Sequence, residues 1–99
     1  SGSVISICVE LEDQLGAEID LEGKIILIPS ADPGYDWLFN RGVAGLITKF
    51  GGANSHMAIR AAEYQLPAAI GIGELQYRNL AGAEELELNP KLRTIRVIR

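Results

Sequence analysis

The stretch "GKIILIPSADPGYDWLFNRGVAGLIT", residues 23–48, decides the fold. Its opening run, "KIILIPS" (24–30), is aliphatic at every position between Lys24 and Pro29. A strand with one wet face needs a polar residue at every second position; this one has none, so it reads as a strand buried on both faces. "DPGYDWLFNRG" (32–42) comes next. Asp32 suits a helix N-cap, Pro33 the first helical position and Gly42 the stop, which together predict a short helix. "VAGLIT" (43–48) is again apolar and predicts a second strand.

The pattern extends in both directions. "SVISICVEL" (3–11) alternates apolar and polar residues, as a half-buried strand does. "EDQLGAEIDLEG" (12–23) is acidic and irregular and reads as a loop. "KFGGAN" (49–54) is a further loop, and Ser55 is placed to cap an alanine-rich helix over 56–64. Pro67 ends that helix. "AAIGIG" (68–73) reads as a short strand running into a glycine turn, and 74–82 carry no assignment. "AEELEL" (83–88) and "RTIRVI" (93–98), joined by an Asn-Pro turn, form a hairpin. Alternating strand and helix followed by a hairpin predicts a mixed α/β domain with layered sheets.

Composition narrows the function. The chain has 99 residues, 47% hydrophobic and 22% charged, which fits one globular domain. A net charge of −4 weighs against nucleic acid, whose phosphates demand clustered cations. The basic residues of "KLRTIRVIR" (91–99) are interleaved with apolar ones, as on a strand with one solvated face. No apolar run approaches the roughly 18 residues of a membrane span, and no secretory pattern is present, so no membrane partner is expected. One cysteine, Cys8, reads as a core residue in a reducing, cytoplasmic compartment. One Cys and one His cannot build a disulfide framework or a zinc site. Ser1-Gly2-Ser3 resembles a cleaved-tag remnant, which leaves 4–99 as a single domain, expected to be excised from a larger multidomain protein.

The only histidine, His56, follows Gly51-Gly52 and opens the second predicted helix. The first amides of a helix lack intrahelical partners and, with the helix dipole, favour an anion. The same positive end disfavours the imidazolium and keeps the ring nucleophilic. Glycines at 51 and 52 let a ligand approach the backbone. Arg60, four residues on, shares a face with His56 and leans back toward it. Thr48 and Ser55 offer hydroxyls to the ring or a phosphate, and Lys49 a nearby charge. A phosphohistidine suits this site. A lone histidine at a helix start is also an ordinary surface or capping residue, and the residue types leave both readings open. A hydrolase with His56 as general base lacks a suitably spaced carboxylate or serine.

Trp37, Leu38 and Phe39 are either core packing or a docking patch, since with Tyr35 they cannot all face inward. Tyr64 is read as packing at the helix end, Asp32 as a cap rather than a base, and Glu84, Glu85 and Glu87 as a solvated strand face.

"GLIT" (45–48), "GG" (51–52), "SHMAI" (55–59) and "LPAAIG" (66–71) resemble the signature of the phosphohistidine, or mobile swivelling, domain of phosphoenolpyruvate-utilising enzymes. That family includes phosphoenolpyruvate synthase, pyruvate phosphate dikinase and rifampin phosphotransferase. "GKIILIPSADPGYDWLF" (23–39) is similar to the strand and helix of the synthase and rifampin branch, and "GAEELELNPKLRTIRVI" to the closing hairpin. The resemblance implies a three-layer β/β/α swivelling domain. It implies that His56 is phosphorylated, through Nε2, with Thr48, Gly51, Gly52 and Ser55 around it; Arg60 is not part of that match and, sharing a helix face with His56, is expected to take the place of the family arginine. It implies a phosphoryl carrier between an ATP-grasp nucleotide-binding domain and a PEP/pyruvate or other acceptor domain. The carrier itself binds no cofactor, since no Walker-type loop or acidic Mg²⁺ constellation is present; Mg²⁺ and ATP or phosphoenolpyruvate belong to the partner domains. Three positions depart: the family usually has arginine where Ala62 stands, often an acid at Lys49, and Thr or an apolar residue at Asn54. Those departures leave a non-catalytic or regulatory module, binding a partner or an anion, as the alternative.

Overall fold

A computed structural model describes residues 3–11 and 19–99; the predicted loop at 12–23 lies mostly outside them, as does most of the Ser1-Gly2-Ser3 remnant. The elements are β1 (Val4–Glu10), β2 (Ile25–Ser30), a 3-10 helix (Pro33–Asn40), β3 (Gly45–Phe50), α1 (His56–Glu63), β4 (Ala68–Ala69), α2 (Glu74–Leu80), β5 (Glu85–Asn89) and β6 (Thr94–Val97). The strands form one six-stranded sheet in the order β4-β3-β2-β1-β5-β6. β1 to β4 pair in parallel, and β5 and β6 are antiparallel to their neighbours. The α/β class predicted from the alternation is the one found. Along β1, Val4–Ile7 pair with β5 and Cys8–Glu10 with β2, and Leu86 and Leu88 of β5 pack with Ile25 and Leu27 of β2 on the face opposite the 3-10 helix and α1.

β2 explains the two-sidedness. Ile26 and Ile28 point into one core with Tyr35 and Leu38 of the 3-10 helix and Met57 of α1. Ile25 and Leu27 point into the other with Tyr77 and Leu80 of α2 and Leu86 and Leu88 of β5. All four β2 residues are fully buried, and each contributes about 1.5–3 kcal/mol relative to exposure. β1 is the half-buried strand predicted, but its isoleucines Ile5 and Ile7 face outward, 54% and 51% exposed. Cys8, predicted in the core, is half-buried, and its thiol donates to the Ala83 carbonyl at 2.9 Å.

Local signals explain most boundaries. The Asp32 side chain accepts from the Gly34 amide at 2.8 Å and Pro33 opens the first turn. The turn is 3-10 rather than α because Tyr35 and Leu38, three residues apart, are its two buried residues; a three-residue period stacks them on one edge. Trp37 and Phe39 lie half-buried against the same core, so core packing is what the structure shows for this segment. β3 runs two residues further than predicted, through Lys49 and Phe50, because Phe50 pairs with Ser30. β4 is only two residues long; Gly71 and Gly73 follow with φ of 73° and 93°. α2 is a helix that the sequence reading does not assign.

Candidate functional site

Parallel pairing brings the site together. β2 and β3 are neighbours, so the segments leaving their C-terminal ends emerge side by side. The 3-10 helix follows β2 and α1 follows β3, and both pack on the same face. Ligands of open α/β sheets bind at this edge, outside the carboxyl ends of the strands.

His56 is the first residue of α1. Ser55 caps the helix as predicted, its Oγ accepting from the Ala58 amide at 3.3 Å. Met57 points the other way, fully buried, and anchors the helix to the core. That leaves the imidazole at the surface, 40% exposed. Its Nε2 lies 2.9 Å from Oδ1 of Asp36, on the 3-10 helix. A carboxylate only accepts, so Nε2–H is the donor in this pair.

Asp36 is the residue the sequence reading misses. It stands 20 positions before His56, and no local motif joins the two. The signal was indirect: the residue follows Tyr35, whose burial on a 3-10 turn points its neighbour elsewhere.

Arg60 joins the same group, though through Asp36 rather than through His56 directly. Its Nε lies 3.5 Å from Asp36 Oδ1. That is an ion-pair contact without hydrogen-bond alignment, since Nε is buried and has no hydrogen-bond partner among the described residues. The rest of the guanidinium is fixed: one Nη donates to the Tyr64 hydroxyl at 3.0 Å, and the group lies over the rings of Tyr64 and Phe39, which stack on each other at 5.3 Å. Tyr64 packs at the end of α1, as predicted, and in doing so clamps Arg60.

Two predicted residues do otherwise than expected. Thr48, read as a hydroxyl for the ring or a phosphate, is fully buried. Its Oγ1 donates to the Phe50 carbonyl at 3.0 Å and accepts from the Gly71 amide at 2.8 Å. A hydroxyl has one proton, so none remains for a ligand. Lys49, read as a charge near His56, lies on the α2 face instead, its ammonium 5.2 Å from the Tyr77 ring and 5.5 Å from that of Phe50. Strand alternation is the reason: β3 residues 48 and 50 face the α1 side, so 49 faces the other.

The two loop glycines separate as well. Gly51 has φ of 137°, and a Cβ there would lie 2.6 Å from that of Ala31, so the chain passes too close for any side chain. A Cβ on Gly52 would meet nothing within 4 Å; this position borders open space. A hollow of about 400 Å³ beside it is lined by Ser30, Asp32, Pro33, Gly51 and Ser55. A larger groove of about 640 Å³ runs between α1 and the β5–β6 turn, away from His56. Neither hollow is lined by His56, Asp36 or Arg60, which meet at the surface between the 3-10 helix and α1. Among the described residues no cluster of three or more His, Cys, Asp or Glu could hold a metal ion, and no helix is long and apolar enough to cross a membrane.

Comparison with known proteins identifies the family. Residues 19–91 match the family described as PEP-utilising enzyme, mobile domain. The chain is 44% identical over 63 residues to a rifampicin phosphotransferase of Streptomyces sviceus, covering 63% of this chain and 7% of that protein. Proteins of the same name from a Streptomyces species and from Bacillus cereus are 46% identical over 57 residues and 41% over 51, covering 57% and 52% of this chain and 6% of each relative. The chain thus corresponds to a small fraction of the length of these relatives.

Proposed function

The chain belongs to the family of PEP-utilising enzyme mobile domains, and from that premise we propose that it is the phosphoryl-carrier domain of a larger multidomain phosphotransferase. His56 accepts a phosphoryl group from an ATP- or phosphoenolpyruvate-binding domain and passes it to an acceptor site on another. The observation that carries this reading is the placement of the one imidazole. It opens a capped helix at the strand ends, 40% exposed, with a carboxylate and an arginine in contact around it.

The division of labour follows from the chemistry. The ring supplies the nucleophile. The free amides of the first turn and the Arg60 guanidinium offset the negative charge that phosphorylation brings. Gly52 leaves the approach open. Phosphoryl transfer also needs a metal ion and groups that orient the donor; Mg²⁺ and the nucleotide or phosphoenolpyruvate are held by the partner domains. A carrier serving two distant sites moves as a rigid body between them. The relatives' name makes rifampicin the first acceptor to test, ahead of pyruvate.

The test is to incubate the full-length protein with Mg²⁺ and ATP or phosphoenolpyruvate and measure its intact mass. An acid-labile gain of one phosphoryl group that vanishes in His56→Ala is the expected result. A gain that persists in His56→Ala, or no gain with either donor, overturns the proposal; the latter leaves a partner-binding module.

A further inference from the structure

We infer that Tyr64 is a positioning residue: with Phe39 it holds the Arg60 guanidinium where that group meets a phosphoryl group carried on Nε2 of His56. The inference rests on the carrier reading above and deepens it.

His56, Arg60 and Tyr64 follow one another at four-residue spacing and form one row along α1 and its C-cap. Side chains on a helix lean toward its N-terminus, so Arg60 leans toward the imidazole and Tyr64 toward Arg60. One Nη of Arg60 donates to the Tyr64 hydroxyl at 3.0 Å. The guanidinium carbon lies 5.1 Å from the Tyr64 ring centroid and 5.6 Å from that of Phe39, within cation–π range of both. The two rings stack on each other, and Phe39 comes from the 3-10 helix. Arg60 is thus held from two elements at once. Tyr64 is 52% exposed, so burial does not fix its ring; these contacts do.

The opposite edge of the guanidinium group is left unfilled. Nε is buried and has no hydrogen-bond partner among the described residues. Two carboxylates stand near it, Asp36 at 3.5 Å and Glu63 at 4.0 Å, neither placed to accept a hydrogen bond. A buried donor without an acceptor is costly, so this N–H points to an acceptor that arrives from outside. Asp36 Oδ1 marks the place, since it lies 2.9 Å from Nε2 of His56 as well as 3.5 Å from Arg60 Nε. The oxygens of a phosphoryl group bonded to Nε2 stand one atom beyond that nitrogen and enter the same space. They bring more charge and more acceptor positions than one carboxylate oxygen, in a geometry that suits a guanidinium. A guanidinium free to turn would follow Asp36 or Glu63 as either moves. One tied to Tyr64 and Phe39 stays beside that space.

The experiment treats this chain and its variants with potassium phosphoramidate and follows phosphohistidine by ³¹P NMR. The Nε2 lone pair forms the new bond to phosphorus, the P–N bond of the reagent breaks, and ammonia leaves with that electron pair. The ring keeps one proton, moved from Nε2 to Nδ1 through the solvent to which it is 40% exposed. His56 is the only histidine, so every phosphohistidine signal is its own. Tyr64→Leu removes ring and hydroxyl, and Tyr64→Phe removes the hydroxyl alone. Phe39 also packs against the core and is left in place. Tyr64→Leu should slow labelling about fivefold, as Arg60→Ala should, and Tyr64→Phe about twofold, the scale of a partly exposed charge contact. In an Arg60→Ala background neither should slow it further, because Tyr64 acts through Arg60. The Arg60 Nε–H resonance, identified by its absence from Arg60→Ala, should move downfield when the wild type is phosphorylated and stay in place in Tyr64→Leu. Equal rates across the variants, or a Tyr64 effect that persists without Arg60, overturn the inference and leave the carrier reading standing. No labelling of the wild type under conditions that label N-acetylhistidine sinks the carrier reading and this inference with it.

Discussion

The adjacent glycines 51 and 52 give the sharpest test of the loop that carries the site, because the sequence treats them alike and the structure does not. Gly51→Ala incurs two costs. Its φ of 137° is one that L residues rarely adopt, worth about 1–3 kcal/mol. The new methyl would sit 2.6 Å from Ala31 Cβ and 3.1 Å from Ile70 Cγ2, an overpacking worth about another 1–3 kcal/mol. Together they come to about 4 kcal/mol, most of the stability of a small domain. Gly52→Ala adds a methyl with nothing within 4 Å, and its effect stays within about 0.5 kcal/mol. Trp37 is the only tryptophan and packs against the core, so its fluorescence reports unfolding. With a urea slope of about 1 kcal/mol/M, the Gly51→Ala midpoint falls by about 4 M, or the variant does not fold. In a thermal scan it melts roughly 15–30 °C lower, while Gly52→Ala melts with the wild type. Equal effects at the two positions, or a loss below about 1 kcal/mol for Gly51→Ala, would show that the close approach of the loop to Ala31 is wrong.

Three further outcomes follow from named contacts. Met57 is fully buried under α1, so Met57→Ala should cost about 2–5 kcal/mol in urea denaturation and loosen the helix that presents His56; a loss under about 1 kcal/mol would mean that α1 is not anchored there. Arg60→Ala should slow phosphorylation of His56 in the full-length protein by about fivefold, the scale of one partly exposed charge contact; an unchanged rate beside an inactive His56→Ala would remove Arg60 from the site. Burial pushes the Cys8 thiol above its ordinary 9.0. Because the folded state holds the proton more tightly, this contribution to stability is complete below the unfolded thiol's pKa and is lost as pH rises through the folded value. The urea midpoint of the wild type should therefore fall toward that of Cys8→Ala above pH 9.0, and iodoacetamide should label the folded thiol more slowly than the unfolded one at neutral pH; a pH-independent difference refutes this.

What could be read from the chain was what local chemistry encodes. Asp32, Pro33 and Ser55 announce their helices by capping, and each does so in the structure. The run 25–28 announces its own burial on both faces. α2 escaped because it has little to announce: seven residues, a glycine at its N-cap without a side-chain bond, and only Tyr77 and Leu80 buried. Asp36 escaped for a different reason. Its meeting with His56 depends on a three-residue helical period and on which strands pair, and neither is written in the residues that flank it. The exposure of Ile5 and Ile7 went unread because alternation marks two faces without saying which lies against the core.

The same limit explains Thr48. Strands that are apolar on both faces, such as 25–28, do not fix their own register, because a slip by one residue exchanges one greasy face for another. Something else must set the pairing Ile28 to Thr48 and Ser30 to Phe50 on which the meeting of Asp36 and His56 depends. Thr48 is the buried polar side chain among the described core residues, and a buried hydroxyl without partners costs about 1–3 kcal/mol. In this register it has both a donor and an acceptor, in Gly71 and Phe50. Gly71 in turn fits only against Gly51, where a Cβ would come within 2.1 Å of the Gly51 carbonyl oxygen. Slipping the strand by one residue would turn Thr48 toward the opposite core, leave its hydroxyl unpaired and carry the start of α1 away from the 3-10 helix. The threonine that sequence reasoning aimed at the phosphate thus acts one layer below it, holding in register the strands whose ends carry the carboxylate and the imidazole.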